Sequence, residues 1–249
     1  MPQEYGPSTY GDRIAGVYDR WFSVPVDTDE AVEFLARLAA GGPVLELGIG
    51  TGRIALPLAG RGSEVHGIDS SEAMVRRLRE KTGGQAIPVT IGDFADVAVD
   101  GGFSLVFVAF NTFFGLLSQD DQVRCFQNVA AHLADDGVFV IQAFVPDLSR
   151  FDRGQRVQVE AVGTDSLTFG ADELDAVHQR VRSVHVVLTE SGVRMYPVRI
   201  RFAYPSELDL MAILAGLRLR DRWEDWSKTP FTPASQSHVS VYGWDESRT

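Results

Sequence analysis

Two hydrophobic rhythms divide the chain. Before residue 146, short apolar runs alternate with segments whose apolar positions recur at helical spacing; beyond it a period of two takes over. The first run, residues 43–47, is closed by Gly48 and follows a helical pattern over 28–40. Residues 53–59 read as a helix, 64–68 as a strand ending at Asp69, 70–80 as a helix, 87–91 and 103–110 as strands. A helix over 119–133 leads to a fifth strand over 137–143. Short apolar strands alternating with helices specify βαβ crossovers and a parallel sheet covered on both faces, an α/β doubly wound fold.

Residues 156–163, 177–190 and 193–204 alternate in period two, with Glu190-Ser191-Gly192 as a turn, and predict an antiparallel meander. The parallel grammar then resumes with a helix over 205–216, capped by Ser206, and strands over 217–223 and 237–244. The meander, residues 147–204, is therefore an antiparallel insertion near the carboxyl edge of the sheet in a single domain, 1–249. It is placed to bind an acceptor or to pair with a second copy as a homodimer.

Composition narrows the classes. A chain of 249 residues buries a full core, and its single cysteine, Cys125, allows no intrachain disulfide, so a reducing cytoplasm is the expected compartment. No apolar run is long enough for a membrane span, and residues 1–10 show no export signal. A net charge of −11 argues against a nucleic-acid partner. The charge is uneven: residues 150–204 hold eight Arg against seven acids.

Residues 46–52 read Glu-Leu-Gly-Ile-Gly-Thr-Gly, where the first strand turns into a helix. Gly48, Gly50 and Gly52 permit a tight turn and let a ligand approach the backbone. A dinucleotide fingerprint would have its third glycine at position 53; Arg53 stands there, which disfavours a nicotinamide dehydrogenase. Asp69, followed by Ser70, ends the second strand and suits ribose hydroxyls. Asp93, in Gly92-Asp93-Phe94 after the third, suits an exocyclic amine beside an aromatic that flanks a purine. Singly, the glycines could serve packing and Asp69-Ser70 could cap a helix. Jointly they describe an adenosine site at the topological switch point.

On these residues, in order from about 44 to 143, the chain resembles the class I S-adenosylmethionine-dependent methyltransferases, whose first motif is an acid followed by Gly-x-Gly-x-Gly. The tail from 204 onward is similar to that family's last two strands. The resemblance implies a seven-stranded, mostly parallel Rossmann-like sheet with S-adenosyl-L-methionine as cofactor. It implies Glu46 near the methionine amino group, Gly48, Gly50, Gly52 and Arg53 along the methionine and ribose, and Asp69 and Ser70 at the ribose. Met74, Asp93 and Phe94 would meet the adenine, and Phe110-Asn111 would close the floor under the sulfonium. Residues 1–27, with Tyr10 and Tyr18, look like the N-terminal lid of the small-molecule branch; the alternative is an amphipathic helix whose Tyr18, Trp21 and Phe22 pack on the sheet.

Methyl transfer displaces a good leaving group in line, so the protein must align the acceptor and exclude water. An amine need only arrive neutral, whereas a hydroxyl wants a base or metal. His66, His132, His178, His185 and His238 are not paired at metal-ligand spacing, and no metal is expected. His185, on the meander, joins Asn111 and Tyr18 as a candidate at the methyl group. Phe107, Phe110, Phe113 and Phe114 surround Asn111 and either line an acceptor pocket or form core; Phe114 and Tyr196 are acceptor-side candidates. Arg180 and Arg182 share one strand face, and Arg199 and Arg201 share one of the next. They form either an anion-binding surface or a solvated outer face. Lid, insertion and absence of an evident base resemble the N-methyltransferases of nucleotide-linked amino sugars, which implies N-methylation of a small, anionic secondary metabolite. Two alternatives stay open: O- or C-methylation of an aromatic or polyketide-like acceptor with His185 or His178 as base, and a cofactor-binding protein without chemistry.

Overall fold

A computed structural model describes residues 5–22, 27–96 and 98–245; of the expected lid and the terminal segment, residues 1–4, 23–26 and 246–249 lie outside the described residues. Helices α1 (Thr9–Ile14), α2 (Tyr18–Trp21) and α3 (Thr28–Ala39) precede β1 (Val44–Leu47). Then come α4 (Ala55–Gly60), β2 (Val65–Asp69), α5 (Glu72–Arg79), β3 (Val89–Ile91), β4 (Phe103–Val108), α6 (Gln119–His132) and β5 (Leu133–Phe144). Strands β6 (Gln155–Val162), β7 (Ser166–Asp175), β8 (Arg180–Thr189) and β9 (Gly192–Arg201) follow, and α7 (Pro205–Leu214), β10 (Leu217–Trp223) and β11 (Ser237–Trp244) end the chain.

Seven strands form one sheet in the order β10-β11-β5-β4-β1-β2-β3, parallel except for β11, which runs antiparallel to β5 and β10. All four residues of β1 are buried, as a central strand covered on both faces requires. Phe126, Val129, Leu208 and Met211 from α6 and α7 pack on one face, and Val32, Leu35 and Leu58 from α3 and α4 on the other. Because β1 lies between β2 and β4, the connections leaving its carboxyl end and that of β4 diverge to opposite sides, and a crevice opens there.

The remaining four strands form a separate antiparallel sheet, β6-β7-β8-β9. Strand β7 is missing from the sequence reading, which assigns no strand to 164–176; its segment over 177–190 is β8 with the turn before it. At that turn the Asp175 carboxylate accepts the His178 amide at 3.1 Å and Gln179 takes a left-handed φ of 55°. The polar Asp172-Glu173 and the glycine at 170 hid the strand from a search for alternating apolar positions. Ser206 does not cap α7: Tyr204 is the N-cap residue and Pro205 follows at the first helical position, where its missing N–H costs nothing.

Arg201 locks the second sheet to the first. Its guanidinium pairs with Glu207 of α7 at 2.7 Å, donates to Gln179 at 3.0 Å and to Gln122 of α6, and is buried. Burial alone would raise the Glu207 carboxyl, but hydrogen bonds from Arg201, Gln179 and Gln119 outweigh it and hold the group below its ordinary 4.5. A depressed carboxyl contributes stability above its unfolded value and loses it as pH falls through the folded one. Arg201→Ala should therefore cost about 3 kcal/mol in urea unfolding at neutral pH, and the gap to wild type should shrink below pH 4.5.

Candidate active site

The glycine turn after β1 is a cradle built by backbone geometry. Gly48 and Gly50 adopt φ of 73° and 55°, and a Cβ on Gly48 would lie 2.5 Å from the Thr112 methyl. The Gly50 amide donates to Asp69 at 2.7 Å, and the Ser71 amide donates to the other oxygen of the same carboxylate at 2.8 Å. Burial raises the Asp69 carboxyl, with the two amides opposing. Glu46 is wholly enclosed; burial, with the neighbouring Asp69 charge adding, lifts its carboxyl well above the ordinary range against the opposing Ala55 amide. Its Oε2 has no hydrogen-bond partner among the described residues.

A cavity of about 680 Å³ opens over this turn, within the range of ~300–1,000 Å³ usual for small-molecule sites. Glu46, Gly48, Gly50, Arg53, Asp69 and Ser70 line one side, and Met74, Asp93 and Phe94 the next. Arg53 stacks over the Phe110 ring at 4.0 Å. Phe110 and Asn111 form the floor in left-handed conformations, φ 54° and 64°, a strain of about 1–3 kcal/mol each. Gln142 holds them, its side chain accepting the Phe110 amide and its carbonyl the Asn111 amide; the Asn111 side-chain oxygen accepts the Phe144 amide at 2.7 Å.

Helices α1 and α2 cover the cavity. Asp12 accepts the Ser71 hydroxyl at 2.7 Å, and Asp19 accepts from Thr51 at 2.6 Å and Lys81 at 2.9 Å. These contacts lay Tyr10 and Tyr18 against the cavity, where burial raises both phenols, so they stay protonated at neutral pH. Trp21 packs edge-on to Tyr196 at 4.7 Å.

Gly52, Phe114, Tyr196 and Arg201, expected at the site from the sequence, do not line the cavity, and Phe107 and Phe113 are core. A Cβ on Gly52 would lie 2.4 Å from Leu78, so this glycine lets the turn pack on α5. Phe114 is turned into the core beneath the floor, edge-on to Phe113 and Phe144. Tyr196 is buried under Trp21, and Arg201 is spent on Glu207. The arginine faces do adjoin, with Arg180 opposite Arg201 and Arg182 opposite Arg199, but they do not converge on the cavity. Arg182 pairs with Glu173, Arg180 donates to the Leu117 carbonyl, and Arg199 alone reaches the rim, stacked over the Tyr5 ring at 4.8 Å.

His185, Val198 and Ile200 face the cavity from the opposite side of that sheet. Leu116 and Leu117, from the segment between β4 and α6, and Phe144 at the end of β5 meet them, giving the far half of the cavity an apolar wall. His185 was a candidate from the sequence; the apolar residues carry no motif, and only the folded chain brings them together. His178 lies at the remote turn, paired with Asp175. His238 is buried on β11 away from the cavity, and burial lowers its imidazole to about 3.

A methyltransferase-domain family model matches residues 44–137, the glycine turn and the strands around it. The solved CcbJ methyltransferase from Streptomyces caelestis is 42% identical, with 96% of this chain and 99% of that one covered and a TM-score of 0.91. The cypemycin N-terminal methyltransferase of a Streptomyces species is 26% identical over 238 residues, covering 94% of this chain and 97% of its own. CalS10, a SAM-bound amino pentose methyltransferase from Micromonospora echinaspora, shares the fold at 19% identity and a TM-score of 0.68, over 97% of this chain and 99% of that one. This chain belongs to the S-adenosylmethionine-dependent methyltransferases. Its cofactor is S-adenosyl-L-methionine. Among the described residues no helix is long and apolar enough to cross a membrane.

The Asp12 and Asp19 contacts predict a local stability for the covering helices. In Asp12→Ala/Asp19→Ala, amides of residues 9–21 should exchange at least tenfold faster by mass spectrometry while those of β1 and β4 keep their protection.

Proposed function

We propose that this protein N-methylates the amine of a small secondary metabolite. In this reading the unpartnered Glu46 oxygen takes the methionine ammonium, Asp69 with Ser70 the ribose, and Asp93, Phe94 and Met74 the adenine. Tyr10, Tyr18 and Arg53 close over the cofactor. Bound there, the cofactor supplies an electrophilic methyl group; Asn111 and the Phe110 floor set the direction from which the acceptor arrives.

The observation that carries the acceptor assignment is the cavity's charge. Its walls present the four acids Glu46, Asp69, Asp93 and Asp121 against the two arginines Arg53 and Arg199, near an apolar far half, while Arg180, Arg182 and Arg201 are engaged elsewhere. That favours a neutral or cationic amine on an apolar body over the anionic acceptor expected from the sequence, and a nucleotide-linked sugar fits it less well. The N-terminal methylation named for the cypemycin enzyme agrees. Calorimetry with S-adenosylhomocysteine should show tight binding to wild type and at least tenfold weaker binding to Glu46→Ala and Asp69→Ala. Radiolabelled methyl transfer to matched amino and hydroxyl compounds should favour the amines, with a nucleotide-linked amino sugar no better than its free glycoside. Preference for the hydroxyl or the nucleotide would reverse the assignment.

We also propose that two copies pair through the outer face of the second sheet. Register places Val157, Val159, Val162, Val193 and Met195 on that face, 56–78% exposed, around Phe169, Val184 and Val186. Four strands of about ten residues span roughly 19 by 33 Å, or ~600 Å² before side-chain relief, close to the ~800 Å² per partner of a stable interface. Residues 155–201 hold six Arg and six acids, so this neutral sheet can meet its own copy although the chain carries −11. Sedimentation should give a dimer at micromolar concentration and a folded monomer for Val157→Glu/Met195→Glu; a wild-type monomer would refute the pairing.

A further inference from the structure

Edge strand β6 contains a bulge. Val159 pairs with Phe169 and Ala161 with Thr168, leaving Glu160 as an extra residue with no partner on β7. A bulge interrupts the ladder and re-aims a side chain. Here it sends the Glu160 carboxylate across β7 to His185 of β8, where Oε1 meets Nδ1 at 2.7 Å. The residue it crosses is Gly170, paired directly with His185. A Cβ at position 170 would lie 2.7 Å from that same Oε1, so a larger residue would close the path. His185 lines the cavity, with Trp21 edge-on at 6.4 Å.

Stability does not account for this arrangement. Both side chains are about one-third exposed, and such a pair is worth at most about 1 kcal/mol. A glycine within a strand costs about as much, and the bulge forfeits ladder bonds besides. Bulge, glycine and hydrogen bond nevertheless converge on one ring nitrogen beside the cavity.

We propose that His185 is the base that removes a proton from the acceptor's ammonium, and that Glu160 is its positioning residue, reaching it through the gap kept by Gly170. The inference rests on the amine reading above. Glu160 accepts the Nδ1 proton and so fixes the tautomer in which Nε2 is the basic nitrogen. Nε2 takes one proton from the ammonium, and the freed nitrogen lone pair forms the bond to the methyl carbon. The carbon–sulfur bonding pair stays on sulfur, and the methylated amine leaves as a cation with the imidazolium beside it.

Two measurements on the full chain test this. In ¹⁵N-histidine spectra without acceptor, wild type should show His185 as the Nδ1–H tautomer, and Glu160→Gln and Gly170→Ala should each show a tautomer mixture; identical spectra in all three would overturn the positioning role. With the amine acceptor from the transfer assay, His185→Gln should lose about a hundredfold in kcat, and Glu160→Gln and Gly170→Ala about tenfold, with KM and S-adenosylhomocysteine affinity within threefold of wild type. The His185→Gln rate should then climb about tenfold per pH unit as the amine deprotonates in solution, more steeply than wild type. A kcat within threefold of wild type and an unaltered pH profile in His185→Gln would overturn the base. Weak S-adenosylhomocysteine binding by wild type would instead sink the cofactor placement, and transfer to hydroxyls alone would sink the amine reading.

Discussion

A carboxylate sealed from water must meet a cation or hold a proton, and Glu46 is such a group. It stands on β1, an interior strand of the main sheet, at the point where the connections part, with one oxygen unused. The glycine turn, the Asp69 carboxylate tied by two amides and the strained Phe110-Asn111 floor all surround that position. Left without a cation, the raised carboxyl favours the protonated form. On the proposed placement a ligand's ammonium would hold it as an anion, and cofactor affinity would then be linked to proton release.

Three separate parts of the chain complete the cavity around that carboxylate. The main sheet supplies the glycine turn and its carboxylates, the covering helices supply phenols that remain uncharged, and the second sheet supplies His185 and part of the apolar far wall. Each part is fixed by its own polar contacts. Asp12 and Asp19 hold the covering helices to Ser71 and Thr51, and Arg201 holds the second sheet to α6 and α7. Alignment and exclusion of water, the two demands of methyl transfer, thus follow from contacts that need not touch either reactant.

The parallel half of this architecture was readable from residues because it depends on local signals. Glycines at 48 and 50 mark a turn with positive φ, and Asp69 and Asp93 end strands whose apolar runs are unmistakable. The second sheet was less legible. Its strand β7 is too polar to announce itself, and the arginines seen as an anion site share a face without sharing a destination. Arg201 turns inward because Glu207 and Gln122 wait there, a tertiary fact absent from strand alternation. Glu160 and Gly170 carry no motif at all; their meaning depends on a one-residue register slip that only the folded pairing reveals.

That slip has an effect at the border of the sheet. An open antiparallel sheet exposes unpaired N–H and C=O groups along both rims, a template on which further chains can be added without limit. On β6 the bulge at Glu160 disturbs the spacing such addition needs, and on β9 Pro197 lacks the N–H to offer. With both rims blunted, growth by addition along the sheet is discouraged by the same kink that aims a carboxylate at an imidazole.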